Sequence, residues 1–283
     1  MEQLIPYVLA FFGGIFGAVF GGATVFIIFG FFGLIGIGLI VATGSEVFLN
    51  TIALSPIFSP EISFAGAVAA AAYWGKVTRD KAKIDTKVEV FDGSNIFVPL
   101  VSTNNVGVLL IGGVFGVLGY TITSFLSGSG FPADNIAVGV VVTNVLARVL
   151  FGGSLFSQLP VEVNKIELLT KPLVFNIMWS FSLAIVIAGV IDVIQIPLFG
   201  FVLGAFVLIF IAAGVNIPMI HHIALIAGIA MVTFGNIWIA GLFGVLASLL
   251  CDFIGVHVNA KVQSHIDPPA AAIIILSLVL SFF

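Results

Sequence analysis

Residues 76–94 read KVTRDKAKIDTKVEVFDGS and form the most polar stretch of a chain that otherwise consists of long apolar runs. This stretch carries five of the nine Lys and Arg residues of the protein. The other four lie in or beside two later polar stretches, and they are Arg148, Lys165, Lys171 and Lys261. Because cytoplasmic loops of membrane proteins are enriched in Lys and Arg, the clustering predicts both a membrane protein and its orientation.

The composition of the chain supports the same interpretation. Of its 283 residues, 60% are hydrophobic and 8% are charged, and the mean hydropathy is +1.29. A soluble domain carries about 25% charged residues, so this chain has too few polar side chains to cover a water-facing surface. The basic residues are confined to a few loops, and nucleic acid is therefore not expected as a partner. We expect an all-α, polytopic integral membrane protein surrounded by a lipid bilayer.

Ten apolar segments approach the length of about 20 residues that a helix needs to cross a bilayer. Gly and Pro mark most of the breaks between them. The predicted spans are residues 4–20, 22–43, 61–76, 105–126, 134–153, 173–192, 196–214, 217–235, 237–256 and 268–283. The third and the tenth are short, which is typical of helices that begin within the membrane, and the sequence leaves open whether they are re-entrant or fully spanning.

The distribution of charge gives these spans an orientation. With the loop at residues 77–95 placed in the cytoplasm, every Lys and Arg falls on the inner side of the membrane. The N-terminus, Met1-Glu2-Gln3, is then outside, and it lacks the basic region of a signal peptide. We expect the protein in the cytoplasmic membrane of a prokaryote.

A recurring pattern divides the chain into similar units. Each unit has a helix with a Phe-Gly pair, a loop, and a second helix that opens at a Pro and continues with small residues. The Pro-led turns lie at Pro60, Pro132, Pro218 and Pro268. In the predicted orientation the first two lie outside and the last two inside. The pattern predicts two repeats of five helices, residues 1–155 with the loop 77–95 and residues 156–283, that cross the membrane in opposite senses.

Each Pro-led turn carries an ionisable side chain. Pro is favoured in the first turn of a helix, so each turn is expected to present free N–H groups, which need partners within a membrane. Ionisable residues in a membrane indicate a functional site, although an N-cap is an alternative role for each acid taken alone. The predicted substrate- or ion-binding residues are Glu61, Asp134, Asn135, Thr143, Asn144, Asn216, His221, His222, His265 and Asp267. A metal bound by the His and Asp residues stays open, although no recognised ligand spacing is present.

These features favour a permease, a secondary transporter that moves a small solute by alternating access with H⁺ or Na⁺ as a candidate coupling ion. Helix N-termini favour an anionic solute, whereas the acids favour a cation or a titrating role. The alternatives are a passive channel, a membrane subunit of a larger transport complex, and a membrane enzyme. Because phosphate-loop, HExxH and nucleophile-elbow motifs are absent, neither enzyme activity nor a cofactor is expected. The Gly-rich apolar faces would permit a homo-oligomer.

Overall fold

The computed structural model describes residues 4–283, and Met1-Glu2-Gln3, on which part of the orientation prediction rests, lie outside the described residues. The described chain is all-helical and contains no β-strand. Its α-helices are α1 (Ile5–Phe20), α2 (Gly22–Thr43), α3 (Ser63–Ala82), α4 (Val106–Ser129), α5 (Asn135–Ala147), α6 (Lys165–Thr170), α7 (Leu173–Ile194), α8 (Leu198–Ala212), α9 (His221–Phe234), α10 (Ile237–Ile254) and α11 (Pro268–Leu280). Each predicted span overlaps one of these helices, and the short α6 was not predicted.

Five helical segments are long and apolar enough to cross a membrane, which agrees with the expected integral membrane protein. They are Gly22–Thr43, Val106–Ser129, Asn135–Gly152, Lys165–Ile194 and Ile237–Asn259. Four shorter helices, α1, α8, α9 and α11, are also apolar. Large hydrophobic side chains such as Phe125, Phe175 and Val193 are exposed on the outside of the bundle, where a bilayer would cover them.

The helix α3 is longer than the sequence predicted. It runs from Ser63 to Ala82, so the predicted short span at 61–76 is wrong in its C-terminal limit. The extra turns contain Lys and Arg, which are good helix formers and favour a helix C-terminus. Lys83 follows the helix and donates to Asp80 Oδ1 at 2.7 Å, and this hydrogen bond lowers the pKa of the exposed Asp80 carboxyl. The remainder of the polar stretch forms turns without a helix.

Glycine residues let the central helices α3 and α9 begin against a neighbouring backbone. A Cβ atom on Gly17 of α1 would overlap the carbonyl oxygen of Ser63, the first residue of α3. A Cβ atom on Gly204 of α8 would overlap the backbone of His221, the first residue of α9. Small residues allow such close approach between membrane helices. These contacts fix the positions at which α3 and α9 begin.

The helices before and after residue 155 pack in corresponding pairs. In the first part α1 contacts α3 and α4, α3 contacts α4 and α5, α4 contacts α5, and α2 contacts α3. In the second part α7 contacts α9 and α10, α9 contacts α10 and α11, α10 contacts α11, and α8 contacts α9. Between the two parts, α2 packs against α8 and α5 packs against α11. The central helices α3 and α9 are therefore enclosed by the others.

Candidate functional site

A buried cavity of about 40 Å³ lies where the two parts of the chain meet. Residues at or beside all four Pro-led turns line it, and they are Pro60, Asp134, Met219, His221 and Asp267. The rest of the wall is apolar and includes the rings of Phe26, Phe64 and Phe201. One water molecule needs roughly 10–15 Å³, so the cavity has room for about three water-sized groups. The turns that the sequence singled out therefore share one small space, which is partly open beside the exposed Met219.

Asp134 is the N-cap of α5 and faces this cavity. Its Oδ1 accepts a hydrogen bond from Ala137 N–H at 2.8 Å. Within residues 4–283, no side chain donates to the Asp134 carboxylate and no basic residue forms an ion pair with it. Its charge is thus opposed only by the positive end of the helix dipole. Asp134 brings an uncompensated carboxylate to the cavity wall.

Asp267 is the N-cap of α11 and has an additional donor. Its Oδ2 accepts from Ala270 N–H at 2.9 Å, and its Oδ1 lies 3.1 Å from His265 Nε2. The other ring nitrogen, His265 Nδ1, lies 3.1 Å from Asn259 Nδ2. Because an amide nitrogen only donates, His265 Nδ1 must accept and Nε2 must carry the proton. The network thus directs the Nε2 proton of His265 to Asp267.

Arg148 sets the direction of the hydrogen bonds in this network. Its Nη2 donates to Asn259 Oδ1 at 3.1 Å, and Ile266 N–H donates to the same oxygen at 3.1 Å. Two donors on Asn259 Oδ1 require that the amide nitrogen point to His265. A directed chain of hydrogen bonds therefore runs from Arg148 through Asn259 and His265 to Asp267. The first two members of this chain, Arg148 and Asn259, lie in the π-helical turns Arg148–Gly152 and Gly255–Asn259.

Arg148, which the charge distribution assigned to the inner side of the membrane, does not reach the surface of the protein. The side chain is fully buried. Its remaining N–H groups donate to neutral oxygens, which are Ser264 Oγ (2.9 Å), Ser264 O (2.6 Å), Leu155 O (2.9 Å) and Val258 O (2.5 Å). A buried guanidinium needs such partners, and the loops on either side provide them. No pattern in the sequence indicated these acceptors.

The N-termini of α5 and α11 are joined to each other's helices by matching hydrogen bonds. Asp134 N–H donates to Ser277 Oγ of α11 at 2.9 Å. Asp267 N–H donates to Asn144 Oδ1 of α5 at 3.2 Å. The N-terminus of each helix thus contacts the C-terminal part of the other helix. The helices α5 and α11 therefore run antiparallel. The two Asp residues are 133 positions apart in the sequence, and so are Asn144 and Ser277.

His221 and His222 are buried at the start of α9. The Nδ1 atom of each has no hydrogen-bond partner in the described part of the chain. The ring of His221 packs edge-to-face against Phe26 and Phe201, with centroids 5.1 Å and 5.8 Å apart. His221 lines the cavity, whereas His222 does not. A buried polar atom without a partner is rare in folded proteins and indicates a ligand or water at that position.

Glu61 is buried beside the cavity without lining it. Its carboxylate accepts a hydrogen bond from Ser59 Oγ. A Cβ atom on Gly119 of α4 would overlap the Glu61 carbonyl oxygen, so glycine allows the Pro60 turn to pack on that helix. The Glu61 side chain also lies against Gly139 of α5, the helix that Asp134 caps. The first part of the chain thus carries two neighbouring acids.

The remaining predicted site residues do not line the cavity. Thr143 is fully buried, and its hydroxyl donates to the carbonyl groups of Gly139 and Val140 within its own helix. Asn135 Nδ2 donates to Ser127 Oγ at 3.1 Å. Asn216 is exposed in the turn before α9. Asn144 contributes only through its contact with Asp267.

The open question of a metal site can be examined for the described residues. No group of three or more His, Cys, Asp and Glu side chains in residues 4–283 is arranged to hold a metal ion. His265 and Asp267 face each other as a hydrogen-bonded pair, and His221 and His222 follow each other on one helix with their rings nearly perpendicular. These residues do not combine into one ligand set.

Sequence reasoning missed the aromatic rings of the cavity wall and the side chains of Asn259 and Ser277. Phe is abundant in the chain, with 29 residues, so no single Phe stands out. Ser277 carried a usable signal, because it lies at the same spacing from Asn144 as Asp267 does from Asp134. Asn259 had none, since its role depends on a π-helical turn.

Comparison with known proteins places this site within a family. No curated protein and no solved structure matches the chain. A family model matches residues 1–168 and 180–283, which together make up nearly the whole chain. The chain therefore belongs to the family described as "Family of unknown function (DUF7973)".

Proposed function

We propose that the protein is a membrane permease, a secondary transporter that binds a small solute in the cavity between its two parts. The observation that carries this proposal is the position of the Pro-led turns around one buried cavity, where Asp134, His221 and Asp267 meet. Transporters place their binding sites at helices that begin within the membrane, where helix N-termini and polar side chains line a space shared by two repeats. The cavity is lined in a similar way, by the N-cap residues Asp134 and Asp267 and by His221 at the start of α9.

We further propose that ten helices form two repeats of inverted topology, residues 1–155 and residues 156–283. The corresponding helix pairs in the two parts of the chain support this arrangement. The antiparallel contact of α5 with α11 supports the inversion, because Asp134 and Asp267 occupy the same position in the two helices. Inverted repeats can exchange conformations and so open one site to either side of the membrane in turn. Alternating access is the mechanism that follows.

The orientation belongs to the same proposal. The loop 77–95 would face the cytoplasm of a prokaryotic cell, with the N-terminus outside, because this arrangement leaves no Lys or Arg in an external segment. The C-terminal end of α3 lies beside that of α5, since Arg79 donates to Phe151 O at 2.6 Å. A basic residue at each of these ends, Arg79 and Arg148, is consistent with one inner surface.

Coupling to H⁺ or Na⁺ would be assigned to the acids of the cavity. A carboxylate without a basic partner can take up a proton or an inorganic cation as the site opens, and Asp134 is in this condition. Asp267 is less free to do so, because His265 donates to it. The helix N-termini at the site favour an anionic solute and the carboxylates favour a cation, and these two influences oppose each other.

Uptake into proteoliposomes tests the permease proposal. A panel of small radiolabelled solutes would be offered to vesicles with and without an inward proton gradient and an inward Na⁺ gradient. We expect saturable uptake that one of the gradients accelerates. Uptake that rises linearly with concentration and ignores both gradients would instead identify a passive channel. No uptake by the isolated chain, together with soluble proteins that co-purify with it, would identify a subunit of a larger transport complex.

A further inference from the structure

We infer that the cavity binds a small organic ammonium ion, held by Asp134 among the rings of Phe26, Phe64, Phe201 and His221. This inference gives the solute class of the proposed permease and rests on that proposal only for the step of transport. Binding can be measured separately. The argument uses the charge of the wall, its hydrogen-bonding atoms, its aromatic content and its size.

The charge of the wall is negative. Of the described residues, no Lys or Arg lines the cavity, whereas two Asp residues do. Glu61 is a third acid, buried against α5, the helix that Asp134 caps. Asp267 lines the cavity, whereas His265, Asn259 and Arg148, through which its network continues, do not. An anion in this space would meet carboxylates without a facing cation, so the charge excludes it as the main ligand.

The hydrogen-bonding atoms at the wall are acceptors that lack donors. Asp134 receives hydrogen bonds only from backbone N–H groups of its own helix in residues 4–283. His221 is 4% exposed, lines the cavity, and has an Nδ1 atom without a partner in the same residues. That Nδ1 atom exposes less than 1 Å² of surface, so His221 contributes its ring rather than this nitrogen to the wall. An ammonium group in the cavity donates N–H bonds to the Asp134 carboxylate and neutralises it.

The aromatic content separates an organic ammonium ion from an inorganic cation. Hard metal cations need several oxygen ligands, whereas this wall consists mainly of hydrocarbon and offers few oxygen atoms beyond the two carboxylates. Phe26 packs at 5.5 Å from Phe201 and at 5.9 Å from Phe64, so the three rings form one cluster. Aromatic rings attract organic cations and pack against their methyl groups. The cavity has room for about three water-sized groups, which fits methylammonium or dimethylammonium.

Thermal unfolding of the purified protein in detergent tests binding. The probes are methylammonium chloride, sodium chloride and potassium formate, each compared with potassium chloride at equal ionic strength. We expect a saturable rise of the Tm with methylammonium, and no such rise with formate or sodium. Tetraethylammonium, which is too large for the cavity, should give none either. A saturable rise with formate would overturn the inference, and so would a rise of equal size with sodium.

Variants assign the effect to the site. Asp134→Asn keeps an N-cap residue of the same shape and preference, and it should raise the apparent Kd for methylammonium by about tenfold or more. Asp192→Asn removes an exposed acid of α7 and serves as the matched control, with an unchanged Kd. Phe201→Leu keeps an apolar side chain and should weaken binding severalfold. If Asp134→Asn does not fold, Phe201→Leu decides, and an unchanged Kd in the variant that is measured would contradict the site.

Uptake of labelled methylammonium into proteoliposomes at pH 6, where almost no membrane-permeable amine is present, separates the two proposals. Binding that depends on Asp134, without uptake, would retain the ammonium site and reject the permease. Uptake of another solute, without methylammonium binding, would retain the permease and reject the ammonium site.

Discussion

The turns at Asp134 and Asp267 have the same backbone role and different electrostatic surroundings. Each Asp caps a helix, lines the cavity, and donates its own N–H to a side chain of the other helix. Two residues before Asp267, however, stands His265, whereas Pro132 stands two residues before Asp134. Pro has no side-chain donor, so only Asp267 is connected to a buried Arg. The comparison indicates a division of roles, with Asp267 holding the structure and Asp134 left to interact with a ligand.

The largest effect is expected when Arg148 is removed from the hydrogen-bond network that leads to Asp267. Arg148→Ala should lower the free energy of unfolding by more than about 3 kcal/mol, because several buried oxygen atoms lose their donor. Thermal unfolding in detergent would measure this loss. Lys171→Ala, which changes an exposed residue, should leave the stability nearly unchanged. Equal stability of the two variants would mean that the Asp267 turn does not depend on Arg148.

Transport, unlike stability, should depend more on Asp134 than on Asp267. Asp134→Asn is expected to reduce uptake into proteoliposomes by about 10- to 100-fold, since it removes the uncompensated charge at the cavity. Asp267→Asn keeps only one of the two oxygens that accept from Ala270 N–H and from His265. Because Asp267 already has a side-chain donor and is not the uncompensated acid, uptake by this variant should still fall less. Both variants would be compared at equal amounts of folded protein. Full activity of both variants would rule out an acid as the coupling group.

A glycine contact tests whether the position of His221 matters to the site. Gly204→Ala places a methyl group against the backbone of His221 and should cost about 1–3 kcal/mol of stability, with weaker methylammonium binding in the folded fraction. Gly128 is the matched control, because a Cβ atom there meets no atom within 4 Å. Gly128→Ala should fold and bind like the parent protein. Weaker binding in both variants would show that the effect is not specific to His221.

Much of the arrangement could be predicted because it follows from local chemistry. Apolar length and Pro placement predicted the helices and the four turns that share the cavity. Only Pro268 of the four Pro residues lies in the first turn of its helix, whereas Pro60, Pro132 and Pro218 precede theirs.

The position of Arg148 could not be predicted, because four of its five acceptors lie at Val258, Asn259 and Ser264, far away in the sequence, and the first two of these residues lie in a π-helical turn. Asn216 was predicted as a site residue from its neighbours in sequence, yet the turn before α9 exposes it. Long-range hydrogen bonds thus decided what local patterns left open.

The smallest effect concerns the two hydrogen bonds that join α5 to α11. Ser277→Ala removes the acceptor of Asp134 N–H and should cost about 1 kcal/mol. Asn144→Ser puts at the Asp267 turn the residue type that serves the Asp134 turn, so part of the hydrogen bond should survive and the cost should be smaller. Chemical denaturation of the two variants in the same detergent would compare them. If the two parts of the chain are true structural counterparts, the serine accepts from Asp267 N–H as Ser277 accepts from Asp134 N–H. A larger cost for Asn144→Ser than for Ser277→Ala would mean that the two contacts are alike only in position.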